Sequence, residues 1–266
     1  MSPTMQKTVL QFFTLVVVFL GVWWLLSQVP FTKHLPVARI NKFKEKKLGD
    51  YMIENCKKNN YEIDTDSLQQ LLDSLKNRVC APNGINPGAI HIHLLHNDDV
   101  NAFALPGQHM VIYTGLLKYC DSASELCGII AHEIGHMQHN HIMKRIVENI
   151  GITAVISVAG GNSQTVQKIL TTLSSTAFSR KQEVEADAAA VDYLLRADID
   201  PAGFGNILQR FGQRKNDIPK QMEWLSTHPN SANRAEEVFK RCNRVGAMYM
   251  PVISDSSWRM LKRVAQ

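Results

Sequence analysis

The longest apolar run in the chain, TVLQFFTLVVVFLGVWWLLSQVPFT from Thr8 to Thr32, holds twenty-five residues without a charge. A helix of about 20 apolar residues crosses a bilayer core, so this run predicts a membrane-spanning helix. Trp23 and Trp24 lie toward its end, where aromatic rings favour the interface. A cleaved signal peptide is the competing reading. Its apolar region would be shorter and would end in an A-x-A-like site, and none follows. Beyond the run the periodicity changes. Residues 40–58 and 66–79 have helical spacing, with Leu68, Leu71, Leu72, Leu75 and Val79 recurring on one face. Asn83-Gly84 and Pro87-Gly88 mark turns. The alternation from Ile90 to His96 predicts a strand, and a second extended stretch runs from Met110 to Thr114. Ser122 and Glu125 fit a capping box, from which a long helix is expected to reach about Arg145. Helical patterns dominate the remainder, broken at Gly160-Gly161, Pro201, Pro219 and Pro229. Ile150 to Gly161 is apolar but too short for a span, which leaves a core helix or a membrane-grazing segment. A small sheet followed by many helices predicts an α+β fold rather than alternating βαβ units.

Composition changes this picture less than the placement of charge does. The chain has 266 residues, 45% of them hydrophobic, and a formal net charge of +5. That balance excludes disorder and suits a single core-forming domain. Residues 1–47 hold seven basic residues and one acidic residue, net +6, while the rest hold 22 basic and 23 acidic, net −1. The basicity is therefore a collar beside the apolar run, and no basic excess remains on the body to bind nucleic acid. The positive-inside tendency places the following domain on the cytoplasmic side, but attraction to anionic headgroups explains the same collar, so the side stays open. Five cysteines, odd in number and without zinc-pair spacing, decide nothing about redox compartment.

The candidate chemistry lies in the helix after Ser122. His132-Glu133-Ile134-Gly135-His136 places two imidazoles at i and i+4, on nearly one helical face, where both can reach one ion. Glu133 is set about 100° round from His132 and can hold a water there. By composition alone such a motif arises in about one or two chains per hundred of this length, so a further ligand is needed to give it weight. Glu183 and Asp187 are again i and i+4 in a helical, alanine-rich stretch. Glu183 can complete a two-His, one-Glu site suited to zinc, and Asp187 can orient a ligand imidazole. A solvated acidic helix face is the alternative for that pair. His91 and His93 share a strand face and could bind a metal, but exposed strand histidines are the simpler reading, and His139 and His141 complement the dipole at a helix end.

The two motifs together, with Asn101-Ala-Phe-Ala-Leu-Pro-Gly107, Val111-Ile-Tyr-Thr-Gly-Leu-Leu117 and Ser226-Thr-His-Pro229 followed by Arg234, resemble the gluzincin metallopeptidases of family forty-eight over residues 40 to 242. The resemblance implies a zincin-like domain, mostly helical with a small sheet, binding one Zn2+ through His132, His136 and Glu183. It implies Glu133 as general base, with His228, supported by Arg234, as donor to the tetrahedral oxyanion. Asn101, Ala102, Phe103 and Ala104 are expected to form a cleft rim whose strand edge binds a protein or peptide substrate in extended form; core packing is the alternative for that stretch. Gln108 stands where a second Gly is expected in the family's turn. With the apolar run and the basic collar, the expected organisation is a tail over 1–7, an anchor over 8–32, a basic segment over 33–47, the zinc peptidase domain over 48–250 and a C-terminal tail over 251–266. The implied protein is a metalloendopeptidase attached by one span to the lipid bilayer of a bacterial-type inner membrane, acting in membrane or envelope protein quality control. A catalytically silent, chaperone-like module on the same fold is the alternative.

Overall fold

The computed structural model describes residues 3–28, 41–158, 163–213, 223–229, 231–242 and 249–265, in two compact units, Met1–Arg39 and Ile40–Gln266. The first contains helix α1 (Pro3–Gln28). Its window Met5–Trp24 has a mean hydropathy of 1.7, long and apolar enough to cross a membrane, and none of it is buried. Of the basic collar, Lys33 and Arg39 lie outside the described residues. Lys42, Lys44, Lys46 and Lys47 fall in the first turns of α2 (Lys42–Asn59), which belongs to the second unit.

In the second unit, α2 and α3 (Asp66–Cys80) precede three strands: β1 (His91–Leu95), β2 (Ala102–Leu105) and β3 (His109–Tyr113). The predicted apolar face of α3 is turned inward, with Leu68, Leu72, Leu75 and Val79 fully buried. The sheet order is β1-β3-β2, with β1 parallel and β2 antiparallel to β3. β2 is thus an edge strand. Helices α4 (Thr114–Tyr119), α5 (Ala123–Gln138), α6 (His141–Ile150), α7 (Ile152–Val158), α8 (Ser163–Ser175), α9 (Arg180–Arg196), α10 (Ala202–Gln213), α11 (Glu223–Thr227), α12 (Ser231–Arg241) and α13 (Asp255–Val264) follow. The chain is mostly helical with a small mixed sheet, as its pattern predicts.

Helix α5 is the hub: it packs on β2, on α9 and on α10. Ser122 caps it by accepting from Glu125 N at 3.3 Å. The reciprocal half of the expected capping box differs. The Glu125 carboxylate accepts from Asp121 N at 2.8 Å and from Arg210 at 2.5 and 2.6 Å, because a buried carboxylate gains more from a guanidinium than from one amide. The expected long helix to Arg145 is also two helices. Asn140 adopts φ 55°, ψ 30°, and breaks the helix between α5 and α6; asparagine tolerates that left-handed conformation better than most residues. In α7, Val155 and Val158 are buried, Ile152 is half-buried, and Thr153 and Ser157 are exposed; Gly160 and Gly161 lie outside the described residues, as does Pro219. Residues 251–266, expected as a tail, hold α13, whose Leu261 is buried and whose Lys262 Nζ donates to the carbonyls of Leu117, Lys118 and Cys120 at 2.7–2.9 Å.

His93 is not a lone strand histidine: it lies 2.6 Å from Glu62 and 3.0 Å from His109, which in turn lies 3.1 Å from Asp50. This chain of bonds pins α2 to the sheet. Nearby, the turn between β2 and β3 places both Gly107 and Gln108 in the left-handed region, at φ 72° and 65°. An L side chain there costs about 1–2 kcal/mol, offset in part by about 0.5–1 kcal/mol of glycine's extra chain entropy. Gln108→Gly is therefore expected to stabilise the domain by up to about 1 kcal/mol. Gly107→Ala is expected to destabilise it by more, since its Cβ would also lie 2.9 Å from Lys46 Cα. Denaturant unfolding of both variants checks this, and a loss of stability in Gln108→Gly would contradict it.

Candidate active site

His132, Glu133 and His136 project from α5, Glu183 and Asp187 from the facing α9, His228 follows α11, and Arg234 lies on α12. Close approach of α5 and α9 depends on small residues: a Cβ at Gly135 would lie 3.0 Å from the Ala186 carbonyl oxygen. All seven side chains are buried. Two turns of one helix and two of another thus deliver polar groups into the interior, which is costly unless they are paired.

His132, His136, Glu183 and His228 each direct one ligand atom to a common point, all within 4.8 Å of one another. The Nε2 atoms of His132 and His136 are 3.0 Å apart, and His136 Nε2 lies 3.4 Å from Glu183 Oε1. His228 Nδ1 lies 2.9 Å from Glu183 Oε1 and 3.3 Å from His132 Nε2. Trp224 fixes the His228 ring by stacking on it, with centroids 4.5 Å apart and planes inclined at 19°. Behind the cluster, His132 Nδ1 lies 3.0 Å from Asp187 Oδ1. The carboxylate claims the ring proton, and the Nε2 lone pair is left facing the cluster. Arg234 grips Asp187 with Nε and Nη2, both at 2.7 Å, and forms an ion pair with Glu183 through Nη1.

These partners set the charges. Burial pushes the Glu183 carboxyl upward, but the Arg234 charge, then His228 and His136, outweigh it and hold it well below the usual carboxylate range. Asp187 is lowered in the same contest, burial against Arg234 and His132. Burial depresses the imidazolium forms of His136 and His228, with Glu183 opposing in both cases. A carboxylate beside neutral imidazoles is the donor set that zinc prefers, and the residues present fit such an ion.

Glu133 stands beside this cluster rather than in it. Its Oε2 accepts from Ala104 N at 2.9 Å, and its Oε1 lies 3.5 Å from His228 Nε2. On the other side of β2, Asn101 O accepts from Tyr113 N of β3 at 3.0 Å. The outer edge of β2 therefore runs past Glu133. Asn101, Ala102 and Ala104 are buried, and Phe103 is half-buried. Phe103, Ala104, Phe178, Arg145 and His228 line part of a cavity of about 230 Å3 next to the cluster.

Sequence reasoning missed several neighbours. Phe178 stacks on His136 with centroids 3.9 Å apart, and the Arg145 guanidinium lies 3.9 Å over Phe178. His141, expected only to complement a helix end, is fully buried and sits 3.0 Å from His136 Nδ1 and 3.0 Å from Glu185 Oε2. Burial holds its pKa down to about 4. No local pattern marks Phe178 or Arg145; His141 lay in view, five residues after the second motif histidine.

Comparison with known proteins agrees with this geometry. The Peptidase family M48 model matches residues 65–241, a span that includes both motif helices and His228. The beta-barrel assembly-enhancing protease of Yersinia pestis is 28% identical over 215 residues, 76% of this chain and 44% of that protein. The mitochondrial metalloendopeptidase OMA1 of Schizosaccharomyces pombe is 26% identical over 165 residues, 60% of this chain and 49% of that protein. The metalloprotease LoiP of Escherichia coli K12 is 29% identical over 172 residues, 62% of this chain and 67% of that protein. The chain spans less than half the length of the beta-barrel assembly-enhancing proteases it matches. A match over more than half the chain, ending in a buried set of metal-ligand side chains, decides the assignment: the chain belongs to peptidase family M48.

Proposed function

We propose that this chain is a membrane-anchored, zinc-dependent endopeptidase that hydrolyses peptide bonds in extended protein segments. One observation carries the reading: His132, His136 and Glu183 converge in a buried cluster while Glu133 bridges from it to the edge of β2. Zinc held by those three side chains would polarise a peptide carbonyl and acidify a water. Glu133 takes the proton from the attacking water as the O–C bond forms, and returns it to the amine as the C–N bond breaks. A substrate strand added to the edge of β2 would pass its backbone beside Glu133, reading sequence loosely through side-chain pockets. His228 is the proposed donor to the oxyanion, which requires its ring to turn from Glu183, where its Nδ1 now lies at 2.9 Å. Arg234 serves by keeping Glu183 and Asp187 ionised.

Residues 8–32 are the proposed anchor, the lysines and arginine of 33–47 are proposed to meet the headgroups of a bacterial-type inner membrane, and the compact unit Ile40–Gln266, which takes in α2 and α13 as well as 48–250, is the proposed catalytic domain. The apolar window Met5–Trp24 supports the anchor. One relative is named for assisting beta-barrel assembly, and this motivates a role in membrane or envelope protein quality control. The test is digestion of casein by the purified full chain in detergent, with and without chelator, and sequencing of the product termini. Internal cleavages that vanish on chelation are expected. A zinc-loaded protein that holds casein without cutting it would point instead to a non-hydrolytic binding module.

A further inference from the structure

The two ligand imidazoles are held from behind in different ways. His132 Nδ1 meets a carboxylate directly, at 3.0 Å from Asp187 Oδ1. His136 Nδ1 meets another imidazole, at 3.0 Å from His141 Nδ1, and only the far side of that ring reaches a carboxylate, with His141 Nε2 3.0 Å from Glu185 Oε2. Protons can be placed on this row by pairing alone. A carboxylate only accepts, so His141 carries its proton on Nε2. Its Nδ1 is then a lone pair, and the proton between the two rings belongs to His136 Nδ1. That leaves His136 Nε2 as a lone pair directed at the cluster, 3.0 Å from His132 Nε2.

We infer that His141 and Glu185 form a positioning relay that fixes the metal-binding tautomer of His136. The inference rests on the metal-centre reading and adds two residues to it. Helix α9 then supplies the orienting carboxylate for both imidazoles, Asp187 for one and Glu185 for the other, besides the ligand Glu183. The break at Asn140 is what makes this possible. On an unbroken helix His141 would lie about 140° round from His136, but Asn140, at φ 55°, folds it back so that the two rings lie 5.0 Å apart. His139, His141 and Glu185 also have ligand-like spacing. A metal on His141 Nε2 would move its proton to Nδ1 and set two N–H groups face to face, so the relay and a second metal there exclude each other.

The relay is read first in the chelated full chain in detergent, labelled with 15N-histidine. The expected spectrum has His136 protonated on Nδ1 and His141 on Nε2; the opposite tautomer at either ring overturns the relay, whatever the metal does. Zinc affinity is then measured by competition with a chromophoric chelator. Loss of such an outer partner weakens metal binding about tenfold to a hundredfold, and this is expected for His141→Phe. Glu185→Gln should weaken it too, because the amide can donate to His141 Nε2 and reverse that ring. His141→Asn, whose Oδ1 can accept from His136, should recover most of the loss. Unchanged affinity in His141→Phe, or equal weakening in His141→Phe and His141→Asn, overturns the relay. Absence of zinc binding by the parent chain would instead overturn the metal-centre reading, and the tautomer measurement would still decide the relay.

Discussion

Glu133→Gln is expected to lower peptide hydrolysis by about 10²–10⁴-fold, the range for a lost general base, while zinc binding persists. Glu133 is outside the four-donor cluster, so its loss takes no ligand away. Glutamine is nearly isosteric, and its carbonyl oxygen can still accept from Ala104 N, which now lies 2.9 Å from Glu133 Oε2. What it lacks is a lone pair basic enough to take a proton from water. Steady-state cleavage of a quenched peptide, beside zinc competition on the same preparation, separates the two effects. Concurrent loss of zinc would make Glu133 a ligand and remove the proposed base.

Arg234→Met should be the most damaging change to stability. Arg234 pairs with Asp187 twice at 2.7 Å and with Glu183 as well, and all three residues are buried. Removing one partner of a buried ionic group costs about 3–5 kcal/mol, because the other charges stay behind uncompensated. The contribution of the two carboxylates to the pH dependence should change sign. In the parent, Glu183 and Asp187 have depressed pKa values. Their contribution is complete above the ordinary carboxylate range near about 4 and is lost as pH falls through the lower folded values. Without Arg234 burial dominates and raises both, so the deficit of the variant against the parent narrows as pH falls from neutrality toward about 4; the buried neutral imidazoles of His136, His141 and His228 lower both curves over the same range. Denaturant unfolding of the chelated proteins across that range measures both slopes. A variant that follows the parent curve at a constant offset would contradict the account.

The site was most legible where chemistry and helix geometry coincide. His132 with His136, and Glu183 with Asp187, share faces by i, i+4 spacing, and the structure brings all four together with His228 and Arg234. Element types were readable where periodicity is strong, as along α3. The remainder depended on the chain leaving its local pattern. Asn140 breaks what reads as one helix, and so hides His141 from any argument based on helical phase. Glu125 reads as half of a capping box until Arg210, eighty-five residues away, takes its carboxylate. Parallel pairing of β1 with β3 is likewise a long-range event; nothing in either strand alone distinguishes it from a hairpin. Gln108 is the converse case, a residue out of keeping with its turn that the fold holds at φ 65° all the same.

One buried metal centre is proposed to perform the peptide hydrolysis. Zinc titrated into the chelated full chain, with the rate of peptide cleavage followed at each addition, tests it most directly. The rate should rise from the chelated baseline and level off at one zinc per chain, with Glu183→Ala failing to follow at the same zinc concentrations. Full cleavage before any zinc is added, or none at any loading, would contradict it.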